Sequence, residues 1–354
     1  MDLFGNLSLF LFFEKCGEEY MKIEQRIEQV EALQNQAGPT AMLPLSMDKN
    51  TKRQSLWNRI KENKIAYFML APVVLGFLVF TIYPNLWVII LSFTTYNGVN
   101  NPQFIGLENY IRLFSRDPLW WKSVSNTLVF AVGKLLIEIP LALFCAVLLN
   151  NAKRKGNNFF KSIFFLPNVV SIAIMCTVFS VLLMPVNGYI NGLLASFGMK
   201  QIDFLGTSPT AMLTVMGVSI WQNFGLNMIL LLAGLQSIPE EIYESAEIDG
   251  ATGFVRFFKI TLPMLSRMFQ VILMLAIIGS LQVFDIQWLL TGGGPSNTTE
   301  VMMTYLFKYY FPPSFSQNAI PQMGYGSALG VIASIIIGIV TVIYLYTTKK
   351  MDDN

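Results

Sequence analysis

Apolar residues in this chain gather into six long runs instead of recurring at the three- and four-residue spacing of an amphipathic helix. The runs are Ile65–Phe93, Val124–Leu149, Phe159–Met184, Ala211–Leu235, Met268–Leu290 and Ser327–Tyr346. Each has about the 20 residues that a helix needs to cross about 30 Å of hydrocarbon. Short polar stretches separate most of them. The pattern predicts an all-α integral membrane protein with six transmembrane helices, the longest run having two places to bend, at Pro72 and Pro84.

Composition supports lipid as the solvent. Of the 354 residues 53% are apolar and 13% charged, and the mean hydropathy is +0.51. Ordinary soluble domains carry about 25% charge, so this chain lacks half the usual polar coat. There is no histidine, which removes the commonest general base and the usual neutral metal ligand. Cys16, Cys145 and Cys176 are far apart, with no zinc or redox spacing. The lone Gly133-Lys134 pair lies in an apolar run and is followed by Leu135, so no Walker phosphate loop exists. No catalytic, cofactor-binding or metal residue is expected in this chain, and no nucleic-acid partner. A membrane-embedded enzyme fits poorly with that inventory.

Lysine and arginine set the orientation. Fifteen fall on one side, in Lys49–Lys64, Lys153–Lys161, Arg256–Arg267 and Lys349–Lys350; five (Arg112, Arg116, Lys122, Lys200 and Lys308) fall on the other. Both termini are therefore expected in the cytoplasm, in a multi-pass protein of the plasma (inner) membrane. The chain then divides into a cytoplasmic tail (1–46), a basic juxtamembrane segment (47–64), the first span with an extracellular loop (65–123), and a core of five spans (124–350). In the tail, Leu3–Phe13 is only 11 residues long and no basic residue precedes it, unlike a signal peptide. Ile23, Ile27, Val30 and Leu33 have helical spacing. Two readings stand: a dispensable extension ahead of Met47, or a regulatory surface helix.

The fourth connection, residues 236–267, is some 30 residues long and falls on the cytoplasmic side. Ser237 with Glu240 has the form of a capping box, and Pro239 is expected in the first helical turn. An acidic helix follows, with Glu240, Glu241, Glu244, Glu247 and Asp249, and Gly250 breaks it. A second helix is expected to carry Ala251, Phe254, Phe257 and Phe258 on one face and Arg256 and Lys259 on the other. Spacing alone leaves this element as either an interfacial linker or a docking surface.

Glu244-Ser245-Ala246, Gly250 four residues after Ala246, then nine residues and Ile260-x-Leu262-Pro263 resemble the E-A-A-x-x-x-G-x9-I-x-L-P signature. That signature marks membrane subunits of binding-protein-dependent ABC importers. Ser245 departs from the usual alanine, a small residue for a small one. Leu290-Thr291-Gly292-Gly293-Gly294-Pro295, with Thr298 and Thr299, resembles the sugar-importer branch, near the first membrane subunit of the maltose, glycerol-phosphate and multiple-sugar systems. The resemblance spans roughly residues 65–350. It implies a type I importer permease that moves a sugar, an oligosaccharide in the favoured reading. Its implied partners are a second homologous permease, two ABC ATPase subunits that bind the ATP and Mg, an extracellular sugar-binding protein, and membrane lipid. By the same resemblance Glu240, Glu241, Glu244, Ser245, Ala246, Asp249, Gly250, Ile260, Leu262 and Pro263 couple to the ATPase.

Polar side chains within the spans need an explanation, because a charge at the bilayer centre costs roughly 2.5–3.5 kcal/mol on insertion scales. Lys134 and Glu138 are one turn apart and can neutralise each other or line a pathway. The fourth run offers Trp221, Gln222, Asn223 and Asn227, and amides with an aromatic face suit a sugar. The leading pathway candidates are Trp221, Asn223, Asn227, Gln282 and Asp285, although Asp285, near the outer end of its span, can instead simply reach water. Interhelical hydrogen bonding is the competing role. The rival function is a stand-alone secondary transporter, which would usually have more spans and coupling acids. In a cysteine-less background, single cysteines at Asn100 and Ser314 should be labelled from outside intact cells and one at Gly250 should not. Outside labelling at Gly250 would overturn the orientation.

Overall fold

The computed structural model describes residues 64–150, 156–312 and 320–352. The tail 1–46, the basic segment up to residue 63, the basic cluster Lys153–Lys155 and Ser314 lie outside the described residues. The chain divides into two compact units, Met1–Val74 and Leu75–Asn354. Of the first, the described part is the opening turns of α1 (Lys64–Phe77), with Pro72 inside the helix.

The second unit begins with the end of α1, a widened π turn (Leu78–Ile82) and α2 (Tyr83–Leu91). Pro84 has no N–H for the Phe80 carbonyl one turn back, and the wide turn falls at that carbonyl. A hairpin of two-residue strands follows, β1 (Thr94–Thr95) against β2 (Gln103–Phe104), antiparallel with Thr94 opposite Phe104. Next come α3 (Glu108–Ser115) and the long α4 (Pro118–Leu149). The helices α5 (Asn157–Val169), α6 (Ile172–Leu182), α7 (Tyr189–Ser196) and α8 (Ser208–Gln236) complete the first half. The second half holds α9 (Glu240–Ile248), α10 (Gly253–Arg256), a π turn (Phe257–Thr261) and α11 (Leu262–Leu281). It ends with α12 (Asp285–Thr291), α13 (Met302–Tyr310) and α14 (Met323–Asp352).

Six apolar runs are present, but not as six straight helices. Among the described residues five stretches are long and apolar enough to cross a membrane, and the third run becomes a sixth only as the pair α5–α6, bent by 94°. Pro167 removes one backbone donor near the end of α5, and Val170 and Ser171 are extended. The fifth run is also interrupted, at Gln282–Phe284 between α11 and α12. The sequence pattern anticipated neither break, nor the small hairpin, nor the short helices α3, α7 and α13.

The helix α8 is the hub of the bundle: 67% of its most apolar stretch is buried, against 39% for α4 and 22% for α14. At one end, Trp120 and Val124 of α4 pack with Met302, Tyr305 and Tyr325. At the other, Ala142 and Ala146 of α4 pack with Leu231, Leu235 and Leu265. The first end is also pinned by a buried carboxylate. The Asp117 side chain accepts from the Trp120 N–H at 3.1 Å, caps α4, and accepts from the hydroxyls of Tyr305 (2.8 Å) and Tyr325 (2.6 Å). Burial, with the hydrogen bonds to Tyr309 and Asp117, pushes the Tyr305 phenol far above its ordinary range, so it stays a donor.

The approach of α5 to α8 depends on one glycine. A Cβ at Gly225 would come within 1.9 Å of the Phe164 carbonyl oxygen, whereas one at Gly217 on the same helix would meet nothing within 4 Å. Gly225→Val should therefore drive α5 off α8 and lower the yield of folded protein several-fold, while Gly217→Ala leaves it unchanged. Size-exclusion profiles of the two variants check this, and equal yields would refute the close-packing account.

Candidate functional site: a polar cavity and a surface element

The α11–α12 break opens onto a cavity that Ile172, the first residue of α6 after the other break, also lines. It holds about 340 Å³ and is bounded by α4, α8, the start of α6 at Ile172, and the α11–α12 break from Gly279 to Ile286. On α8 the polar positions Ser219, Gln222, Asn223 and Asn227 recur at three- and four-residue spacing, which places them on one stripe facing the cavity. Asn223, Asn227, Gln282 and Asp285 thus come together as lining residues. Trp221 does not join them. Two residues from Asn223, it is nearly on the opposite side of α8, with its ring edge-on to Phe179 at 5.3 Å.

Lys134 and Glu138 also line the cavity. Their ion pair forms at 3.3 Å, with both side chains buried. Asn227 Nδ2 donates to Glu138 Oε1 at 2.6 Å and Lys134 Nζ donates to Ser280 Oγ at 3.3 Å, so one network joins α4, α8 and α11. Neutralising each other and lining the cavity are therefore roles the two residues hold together. Asn227 has become interhelical glue as well as cavity wall. Gln222, which the sequence offered beside Asn223, lines the cavity too, and Ser219 is a lining residue missed from the sequence, although the helical stripe could have found it. Gln287 is fully buried with neither amide atom partnered, and lies outside the lining. Among the described residues no cluster of metal-ligating side chains exists.

The surface element is built differently from expectation in two respects. Ser237 does not cap α9. It ends α8 and turns its hydroxyl back to the Gly234 carbonyl at 2.7 Å, while Pro239 occupies the position before the first helical residue, Glu240. The helix α8 ends at Gln236, one residue beyond its apolar run, so Ser237 closes α8 instead of opening α9. The helix after Gly250 is a single turn, α10, that passes through the π turn straight into α11. Pro263, in the first turn of α11, cannot donate to the Lys259 carbonyl, and that carbonyl lies in the widened turn.

The Gly250 break forms as the sequence suggested. Gly250 has φ +76°; its N–H donates to the Glu247 carbonyl (3.0 Å), and the Ala251 N–H to the Ala246 carbonyl (2.9 Å). These are the paired bonds of a Schellman stop, which favours glycine in the left-handed position. On α9 Ala246 is buried, whereas Glu240, Glu241, Glu244, Ser245, Glu247 and Asp249 are exposed. Ile248, Phe254 and Phe258 form exposed apolar ground beside the acids, with Phe254 stacked on Phe258 at 5.8 Å. Arg256 lies 5.7 Å over the Tyr243 ring, and the Tyr243 and Thr261 hydroxyls are 3.2 Å apart, tying α9 to the root of α11. Ile260 and Leu262 flank that contact. The glycine-rich stretch before Pro295 is a tied loop: Thr299 donates to the Gly294 carbonyl at 2.6 Å, and Lys122 to that of Ser296 at 2.9 Å.

This geometry has a counterpart among known proteins. Residues 138–352 match the family described as the binding-protein-dependent transport system inner membrane component. The chain belongs to that family. It is similar to the arabinooligosaccharides transport system permease AraP of Bacillus subtilis, 32% identical over 83% of this chain and 92% of that protein. The trehalose/maltose transport system permease MalF of Thermococcus litoralis is likewise 32% identical, over 81% and 94%. A bacterial alginate ABC transporter, solved with an alginate pentasaccharide-bound periplasmic protein, contains a chain matching 84% of this one and 98% of its own length. The TM-score is 0.73 at 25% identity. This chain is thus a multi-pass inner-membrane permease of an ABC importer.

The buried pair makes a stability prediction. Removing one member leaves a lone buried charge, which costs about 3–5 kcal/mol, whereas removing both is close to neutral. Lys134→Met should lower the melting temperature of the detergent-purified permease, and adding Glu138→Gln, which keeps an acceptor for Asn227, should recover most of the loss. A double variant no better than the single would show that the pair is not what holds the three helices.

Proposed function

We propose that this chain is the sugar-translocating permease of an ATP-driven importer, working beside a second homologous permease. Two ABC ATPases dock on its cytoplasmic face and bind the ATP and Mg. An extracellular binding protein delivers the sugar, an oligosaccharide in our reading, and both termini are cytoplasmic. Relatives named for arabinooligosaccharides and for trehalose/maltose support a saccharide substrate. So does the cavity, whose amides supply donors and acceptors for hydroxyl groups.

The observation that carries the ATPase coupling is continuity. The exposed acids of α9 end at the Gly250 stop, and past two further residues, from Gly253, a continuous helical path through α10 and the π turn leads along α11 to the cavity wall at Gly279. A push on α9 is thereby delivered to the wall of the cavity. ATP shifts the population between the two openings by binding the closed ATPase pair more tightly.

Space around Gly250 is open, so a substitution there acts through the backbone alone, at about 1–2 kcal/mol for a β-carbon in the left-handed region. Gly250→Val and Glu244→Lys should each cut sugar uptake at least tenfold with the permease still in the membrane and the cavity intact. Uptake and copurification of the ATPase measure this. Normal uptake with normal ATPase retention in both variants would remove the docking role.

A further inference from the structure

The cavity carries charge as well as amides. Three ionisable side chains line it: Lys134, Glu138 and Asp285. Lys134 and Glu138 cancel as a buried pair, with the ammonium further held by Ser280. Asp285 is different. It stands at the α11–α12 break, exposed to the cavity, with no ion pair or hydrogen bond to any described residue. No described cation in the lining is left to answer it, so the lining has one uncompensated negative charge.

Around Asp285 the remaining polar equipment is neutral. Gln222 and Gln282 make no side-chain hydrogen bond within the described residues. Ser219 is 1% exposed, and its hydroxyl, in the cavity wall, has no partner. A buried hydroxyl without a partner is unfavourable unless something else supplies one. A sugar hydroxyl does so, and a carboxylate accepts well from hydroxyl groups. A sugar that itself carries a carboxylate or phosphate brings a second negative charge close to the first.

We infer that this cavity selects uncharged or cationic saccharides and rejects sugar acids and sugar phosphates, with Asp285 as the specificity-determining residue. The inference rests on the saccharide reading above and narrows it to a charge class. At an effective dielectric constant of about 20, two charges roughly 8 Å apart repel by an amount on the order of tenfold or more in affinity.

The test uses the assembled transporter, purified in nanodiscs without its binding protein, and equilibrium binding of trimers with one skeleton. The probes are trigalacturonate, its fully methyl-esterified neutral form, and maltotriose as an unrelated neutral trimer. Wild type should bind the methyl ester at least tenfold more tightly than the acid. Asp285→Asn should reduce that ratio to about two or less, and Asp285→Glu should keep it, which separates charge from any effect on folding. Equal binding of acid and ester by the wild type, or an unchanged ratio in Asp285→Asn, would overturn the charge selection alone. If neither neutral trimer binds the wild type, the saccharide reading of the cavity falls, and this inference with it.

Discussion

A helix crossing hydrocarbon has to satisfy its own backbone hydrogen bonds, because lipid offers no partner for a free N–H or carbonyl. This chain interrupts its helices twice within the membrane-spanning region, at Val170–Ser171 and at Gln282–Phe284. Such breaks are tolerable only where protein or water reaches the freed groups. Both border the same cavity, and the polar stripe of α8 faces them across it. The cavity is therefore the condition on which the breaks can exist, and the breaks in turn give the cavity its shape. One of them also turns Gln282 and Asp285 toward the space.

Holding that space open needs a frame that does not collapse onto it. The frame is α4 with α8, the two most buried spans, joined by apolar packing of Phe130 with Val215 and Met216 on one side of the Lys134–Glu138–Asn227 network and of Ala142 and Ala146 with Leu231 and Leu235 on the other. A wholly apolar middle would close by packing, as the ends do. A paired charge with an amide partner resists this, because closing over it would strip away hydrogen bonds that cost a few kcal/mol to lose. The same network reaches α11 through Ser280, so the frame touches the helix that continues from the surface element.

The positions of the spans were legible because run length is a direct consequence of bilayer thickness, and the surface element was legible because Gly250 is required by its left-handed backbone. The breaks were not. Val170 and Ser171 sit inside one long apolar run, where Pro167 marks a place at which a helix can bend but not that the chain turns by 94° there. Helical phase explains two further differences. Trp221 was grouped with Asn223 by proximity in sequence, but at 100° per residue the two face nearly opposite ways. Ser237 has the sequence of an N-cap, yet α8 continues far enough to use it first, since a hydroxyl three residues after Gly234 serves the end of one helix as readily as the start of the next. For the cavity, amide content identified Gln222, Asn223, Asn227 and Gln282, while Ser219 follows only once the stripe on α8 is fixed.

The distribution of packing also explains how such a bundle can open to either side. Apolar clusters close the two ends separately: Trp120, Tyr305 and Tyr325 at one, Leu231, Leu235 and Leu265 at the other, with the polar cavity between them. The first end is further fastened by Asp117 through two tyrosine hydroxyls; the second is held by dispersion and burial, and it adjoins the Tyr243–Thr261 contact of the surface element. Directional hydrogen bonds give way over a short displacement, whereas apolar contacts slide and re-form. With α9 in the docking role proposed above, a push on it would meet a yielding end first and a latched end only after the movement had passed along α11. That order makes it costly for both ends to open at once, which is what a carrier has to avoid.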